Sequence, residues 1–186
     1  MPPTVKSALV GVACALLSPG PARADEGGTR FALGVGFVVP TLLSVDGETS
    51  TAEPGPLVLI SFDRAVSESL DAGGFLDVGS FSAEDSDEQV NLMQIGGLLY
   101  WRRADTWGGL LRLGGRLGYR QLFADARGYD AVRGIAADLV AQWIGQVSRN
   151  LTGSLELGVL TEPFGANEHG TVFFGPFPYL ALGVIL

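Results

Sequence analysis

The run Trp107-Gly-Gly-Leu-Leu-Arg-Leu-Gly-Gly-Arg-Leu-Gly-Tyr-Arg120 constrains the fold of this 186-residue chain more than any other part. Successive side chains of a β-strand point to opposite faces. With that period, Leu111, Leu113, Leu117 and Tyr119 share one face. Arg112, Gly114, Arg116, Gly118 and Arg120 share the other. A helix would also gather the arginines on one side. However, Gly108, Gly109, Gly114, Gly115 and Gly118 would each cost about 1 kcal/mol in it relative to alanine. The segment therefore predicts a strand with one apolar face and one face of guanidinium groups spaced by glycine.

The same rhythm recurs along the chain. Eight stretches read as strands: 30–39, 56–66, 74–82, 90–102, 107–121, 131–145, 151–161 and 171–186. Most are longer than the usual strand of about 5–6 residues and suit a tilted membrane strand of about 9–11. Phe31, Leu33, Val35, Phe37 and Val39 form an unbroken apolar face opposite Arg30, Ala32, Gly34 and Gly36. Ile135, Leu139 and Trp143 oppose Asp138 and Gln142; Leu155, Leu157 and Val159 oppose Ser154 and Glu156. In the last strand Leu180, Leu182, Val184 and Leu186 oppose Tyr179, Ala181 and Gly183. The second and third strands are less regular. Val58, Ile60, Phe62, Leu76 and Val78 would share the apolar face, with Asp63 and Asp77 behind them.

The connections alternate in length. Residues 40–55, 83–89, 122–130 and 162–170 read as loops on one side. The links 67–73, 103–106 and 146–150 lie on the other. Trp101 and Trp107 flank 103–106, and Trp143 precedes 146–150. All three tryptophans thus fall toward one end, as an interfacial aromatic girdle requires. Pro176 and Pro178 sit where the last strand should begin. Proline cannot donate to a ladder, so the spanning part of that strand is expected to be only residues 179–186.

The N-terminus reads as an address. Residues 1–6 are short and basic, 7–17 are apolar, and Ala22-Arg23-Ala24 is a small-x-small cleavage site before Asp25. This is the pattern of a cleaved secretory signal peptide, with an apolar run too short to span a bilayer. Competing readings are a membrane anchor, a buried helix or lipoprotein processing at Cys14. For the latter, Gly11-Val12-Ala13 lacks the large aliphatic residue expected three positions before the cysteine. Removing residues 1–24 leaves one domain, 25–186. The single Cys and single Lys leave with the signal. No disulfide or thiolate metal site remains. Ten arginines (12 basic residues less Lys6 and Arg23) then face 20 acids, a net charge of −10. That argues against nucleic acid as a partner. No later segment has 18 consecutive apolar residues, yet mean hydropathy is +0.30 and Gly numbers 27, about twice the usual share.

An arginine on a lipid-facing strand position costs about 2–4 kcal/mol near the midplane. Arg112, Arg116 and Arg120 are therefore expected inside a barrel, with Asp63, Asp77, Asp138 and Glu156 opposing them. An eight-stranded barrel has room inside only for side chains, so the expectation is a plugged, salt-bridged lumen.

In its export signal, amphipathic strands, alternating loops and closing strand, the chain resembles the small eight-stranded outer-membrane β-barrel family. The resemblance covers residues 25–186. It implies an all-β, antiparallel up-and-down barrel in the outer membrane of a Gram-negative-type bacterium. It also implies contact with outer-membrane lipid, delivery by the barrel-insertion machinery, and a monomer. That family usually ends in an aromatic residue, whereas this chain ends in Leu186.

Little reads as chemistry. Some outer-membrane barrels are lipid A deacylases with a serine two residues after a strand histidine. Here Thr171 follows His169, and no serine comes after it. Glu84, Asp85, Asp87 and Glu88 form an acidic loop without the spacing of a calcium loop. Gly34-Val-Gly36 lacks the third glycine of a dinucleotide motif. An anion path along Arg112, Arg116 and Arg120 is the alternative use of those residues. The reading is a non-enzymatic barrel with no cofactor and no metal. Its rival is a soluble secreted or periplasmic, lipocalin-like barrel binding an apolar ligand, in which the leucines would lie within and the arginines in water.

Overall fold

The computed structural model describes residues 28–39, 43–45, 48–50, 52–83, 89–106, 108–124, 132–167 and 170–186. The proposed signal peptide, Trp107, His169 and the acidic residues Glu84, Asp85, Asp87 and Glu88 lie outside these residues. Eight long strands build the wall: β1 (Thr29–Val38), β5 (Gly55–Ser67), β6 (Leu70–Ala83), β7 (Gln89–Thr106), β8 (Gly109–Ala124), β9 (Val132–Ser148), β10 (Leu151–Asn167) and β11 (Gly170–Ile185). Three short ones, β2 (Leu43–Val45), β3 (Glu48–Ser50) and β4 (Ala52–Glu53), lie between β1 and β5. No helix occurs among the described residues.

Each long strand pairs antiparallel with the next, and β1 also pairs with β11 from Ala32↔Ile185 to Val38↔Tyr179. The sheet is thus a closed, up-and-down barrel without a free edge along that seam. Gly36 makes the close approach possible there. A Cβ on it would lie 2.2 Å from the carbonyl oxygen of Leu180.

The strands are longer than the sequence pattern suggests, and three connections change accordingly. Residues 67–73 are not a loop. Ala65 pairs with Asp71 and Arg64 with Ala72, leaving only the turn at 68–69. The link at 103–106 lies inside β7, because Asp105 pairs with Leu110 and Thr106 with Gly109 across a bulge. Before β8 begins at Gly109, Gly108 takes a φ of 71° that glycine adopts without steric cost. Residues 162–167 and Gly170 belong to the wall, since β10 and β11 pair out to Asn167↔Gly170.

The prolines do not shorten β11. Pro178 pairs with Val159 of β10, and its carbonyl accepts from Val39 N–H at 2.8 Å. In a strand the N and C=O of one residue point the same way. The missing N–H therefore faces the β1 side, where paired register stops at Val38. A second irregularity surrounds Pro163. The β9–β10 ladder jumps from Leu139↔Val159 to Ile135↔Phe164. In the gap, the N–H of Thr161 donates to Asp138 Oδ1 at 3.0 Å, replacing a ladder bond with one to a side chain.

The outward face is apolar on every long strand. Phe37 is 64% exposed, Leu117 63%, Leu139 74%, Leu182 62% and Leu157 53%. Soluble monomers rarely expose apolar patches beyond a few hundred Å². A lipocalin-like protein needs the opposite arrangement, with leucines within and arginines outside.

Candidate functional site

Parity along each strand delivers the charges to the lumen, and cross-strand register decides which meet. On β8, Arg112 and Arg120 have no exposed surface and Arg116 has 3%. Asp63, Asp77, Asp138 and Glu156 are also buried inside. The register sets Arg30 opposite Asp63, Asp77 opposite Gln94, and Gln94 opposite Arg120. It also sets Gln142 between Arg112 and Glu156.

The contacts form two linked groups. Toward the end carrying the turns 68–69 and 149–150, Arg112 binds Asp63 through both terminal nitrogens, at 2.8 and 3.1 Å. It also reaches Asp71 at 3.1 Å and Gln142 Oε1 through Nε at 3.1 Å. Arg30 bridges Asp63 and Asp71, each at 2.6 Å, and Arg102 Nε donates to Asp71 at 2.8 Å. Above them, Arg116 spans the lumen from Asp77, at 2.8 Å, to Glu156. Glu156 accepts further bonds from Gln142 at 2.8 Å, Tyr179 at 2.7 Å and Tyr100 at 3.4 Å. Arg120 holds Asp138 at 3.0 Å and Gln94 at 2.9 Å, and Gln94 donates to Asp138 at 2.6 Å.

Arg116 does not pair with Asp138, its direct neighbour across the β8–β9 ladder. The long guanidinium stems cross the lumen, and Asp138 goes to Arg120 instead. Aromatic rings wall the cations. The Arg112 guanidinium lies 4.2 Å from the Tyr100 ring centroid, and that of Arg116 lies 5.0 Å from Phe75. Such contacts are strongest where water is excluded.

Sequence parity singled out only part of this network. Parity also puts Arg30, Gln142 and Tyr179 on the inward face, and Asp71, Arg102, Gln94 and Tyr100 complete the network. Glu162 is a sixth buried acid, with no exposed surface and no hydrogen bond to either carboxylate oxygen. Beyond the ionic groups, Leu57, Phe81, Leu92, Leu122, Leu160 and Phe177 pack into an apolar cluster across the lumen. A cavity of about 10 Å³ remains beside Ser61, Gln142, Ser154 and Glu156, room for about one water molecule.

Trp101 points outward and is half exposed, with the Arg103 guanidinium 4.4 Å above its ring. Trp143 is half-buried on β9 and covers Gly109 and Gly145. Trp107, the third expected girdle residue, is outside the described residues. No group of three or more His, Cys, Asp and Glu among the described residues is arranged to hold a metal.

No protein-family model matches the chain, and no curated protein matches it in sequence. Solved structures that share its architecture include two small outer-membrane barrels. The outer membrane protein OprG from Pseudomonas aeruginosa superposes with a TM-score of 0.61 at 9% identity, over 87% of this chain and 97% of that one. Neisserial surface protein A (NspA) gives a TM-score of 0.57 at 14% identity, over 85% of this chain and 95% of that one. At such identities the likeness concerns the fold. This chain has the closed, antiparallel eight-stranded barrel fold of the small outer-membrane β-barrel proteins.

Proposed function

We propose that this chain is a non-enzymatic integral protein of a Gram-negative-type outer membrane. Its lumen is plugged, and its role is structural or in surface interaction, with at most limited small-solute passage. The observation that carries the reading is the inversion of the barrel: leucine, valine and phenylalanine outside, arginine and carboxylate inside. The opposite orientation of β8 alone would place three arginines in lipid at about 2–4 kcal/mol each. That sum rivals a whole domain's stability of about 5–15 kcal/mol.

Two layers support closure of the lumen. The salt-bridged layer fixes each cation among carboxylates, rings and amides. The cluster around Leu57, Leu92, Leu160 and Phe177 is a hydrophobic stopper, and apolar constrictions block ions by dewetting. The chain is a monomer that contacts outer-membrane lipid and enters through the barrel-insertion machinery. The turns at 68–69 and 149–150 face the periplasm, and the strand ends near Val38, Ala83 and Ala124 face outward. No cofactor, metal or nucleic acid takes part.

Planar-bilayer recording of the purified, refolded protein tests closure. The expected result is no steady unit conductance in salt. Stable conductance steps that persist after repurification would contradict the plug and favour an anion path along Arg112, Arg116 and Arg120.

A further inference from the structure

On the outer wall, between β7 and β8, lies a groove of about 550 Å³. Its floor contains Gly97 and Gly115, and its banks are Leu99, Leu113, Leu117 and Trp101. Packing within the barrel does not require these two glycines. A Cβ on Gly97 would meet nothing nearer than a carbonyl oxygen at 3.8 Å, and one on Gly115 nothing nearer than 3.4 Å. Gly114 and Gly118 on the same strand differ, since a Cβ there would come within 2.2 and 2.4 Å of backbone oxygens. The register places Gly97 beside Leu117 and Gly115 beside Leu99. Each glycine is therefore a notch next to a leucine, and the notches join into one apolar channel.

A cation stands just beyond one end of the groove. Trp101 forms its bank toward the short-turn side, and the exposed Arg103 guanidinium lies over that indole. Arg103 points outward by parity, unlike the neighbouring Arg102, which turns inward to Asp71. No carboxylate pairs with Arg103 among the described residues. An apolar slot ending in a cation on an aromatic plate suits a hydrocarbon chain with an anionic head. Guanidinium binds phosphate oxygens in a forked geometry.

We infer that this groove seats one acyl chain of an anionic phospholipid in the periplasmic leaflet, with its phosphate held by Arg103. The site rests on the membrane reading above and adds the lipid class and its position. Gly97 and Gly115 make room for the chain, and Trp101 orients the cation at the depth of the headgroups. Arg64 and Arg149 are also exposed toward the same rim. They add positive potential for an anionic leaflet, but neither residue lines the groove.

Tryptophan quenching by brominated lipids tests the site. The full chain is reconstituted in phosphatidylcholine vesicles containing a small fraction of brominated phosphatidylglycerol or, in parallel, brominated phosphatidylcholine. The expected result is a preference for the anionic lipid of about fivefold. It should fall toward parity in Arg103→Gln and in Gly97→Leu, which fills the slot. The signal is read as the difference between wild type and variant, so the other tryptophans cancel. Native mass spectrometry from mixed micelles should show one retained anionic lipid on wild type and none on Arg103→Gln, a surface change that leaves folding intact. Equal quenching by both lipids in wild type, or a preference that survives both substitutions, would overturn the site while leaving the membrane reading in place. Absence of quenching by either lipid would overturn the membrane reading itself.

Discussion

Replacing Arg116 by leucine removes the cation that joins Asp77 to Glu156 across the lumen. The two acids are not affected equally. Glu156 keeps donors from Gln142, Tyr179 and Tyr100. Asp77 keeps none, since its Oδ2 is bonded to Arg116 and its Oδ1 has no hydrogen bond. Stranding a buried charge costs about 3–5 kcal/mol, a large share of a stability of about 5–15 kcal/mol. Arg116→Leu should therefore lower the denaturant midpoint sharply. Replacing both partners with apolar residues is often nearly neutral, so Arg116→Leu with Asp77→Leu should recover a coupling of about 2 kcal/mol. The assay is a urea or guanidinium titration in lipid vesicles, followed by tryptophan fluorescence, with the unboiled gel band scoring the folded fraction. An unchanged midpoint for Arg116→Leu would refute the reasoning. So would a double variant no more stable than the single.

Other substitutions probe the wall. Leu139, near the middle of β9, is 74% exposed, and Leu139→Arg should cost about 2–4 kcal/mol in a bilayer. The same titration checks it, since a water-facing position would show almost no change. Gly36→Val forces a side chain into the β1–β11 seam, where a Cβ would lie 2.2 Å from a backbone oxygen. Barrel closure should fail, leaving only the slower, unfolded band on an unboiled gel. Gly97→Ala meets no such obstacle and should fold like wild type in the same gel.

The wall was legible because its chemistry alternates at period two. On β8 every second residue from Leu113 to Tyr119 shares one face and Arg112, Arg116 and Arg120 share the other, so parity fixed the two faces, and only the cost of arginine in lipid chose which of them is inside. β7 resisted such reading: Ile95, Leu98, Leu99, Tyr100 and Trp101 are apolar or aromatic on both faces. Gln94 and Tyr100 therefore went unplaced until pairing with β6 and β8 fixed their side. Asp71 was hidden by Asp71-Ala-Gly-Gly74, which has turn composition. Its parity with Asp77 was the available signal, and cross-strand pairing carries the strand down to Leu70. Glu162 fell within a segment bearing Pro163 and Gly165, residues that mark loops but here sit at ladder irregularities. The partners inside the lumen were beyond a sequence reading. Arg116 bypasses its ladder neighbour Asp138, and only the barrel's tilt and side-chain reach decide that.

The central claim, that lipid surrounds this barrel and charges fill it, is tested most directly by one preparation. Membranes from expressing cells are washed with carbonate, and the chain is run on SDS gels with and without boiling. The account predicts retention in the outer-membrane pellet and a mobility that shifts on boiling, as for a folded integral barrel. Release into the wash or the periplasmic fraction, with one mobility at both temperatures, would contradict it.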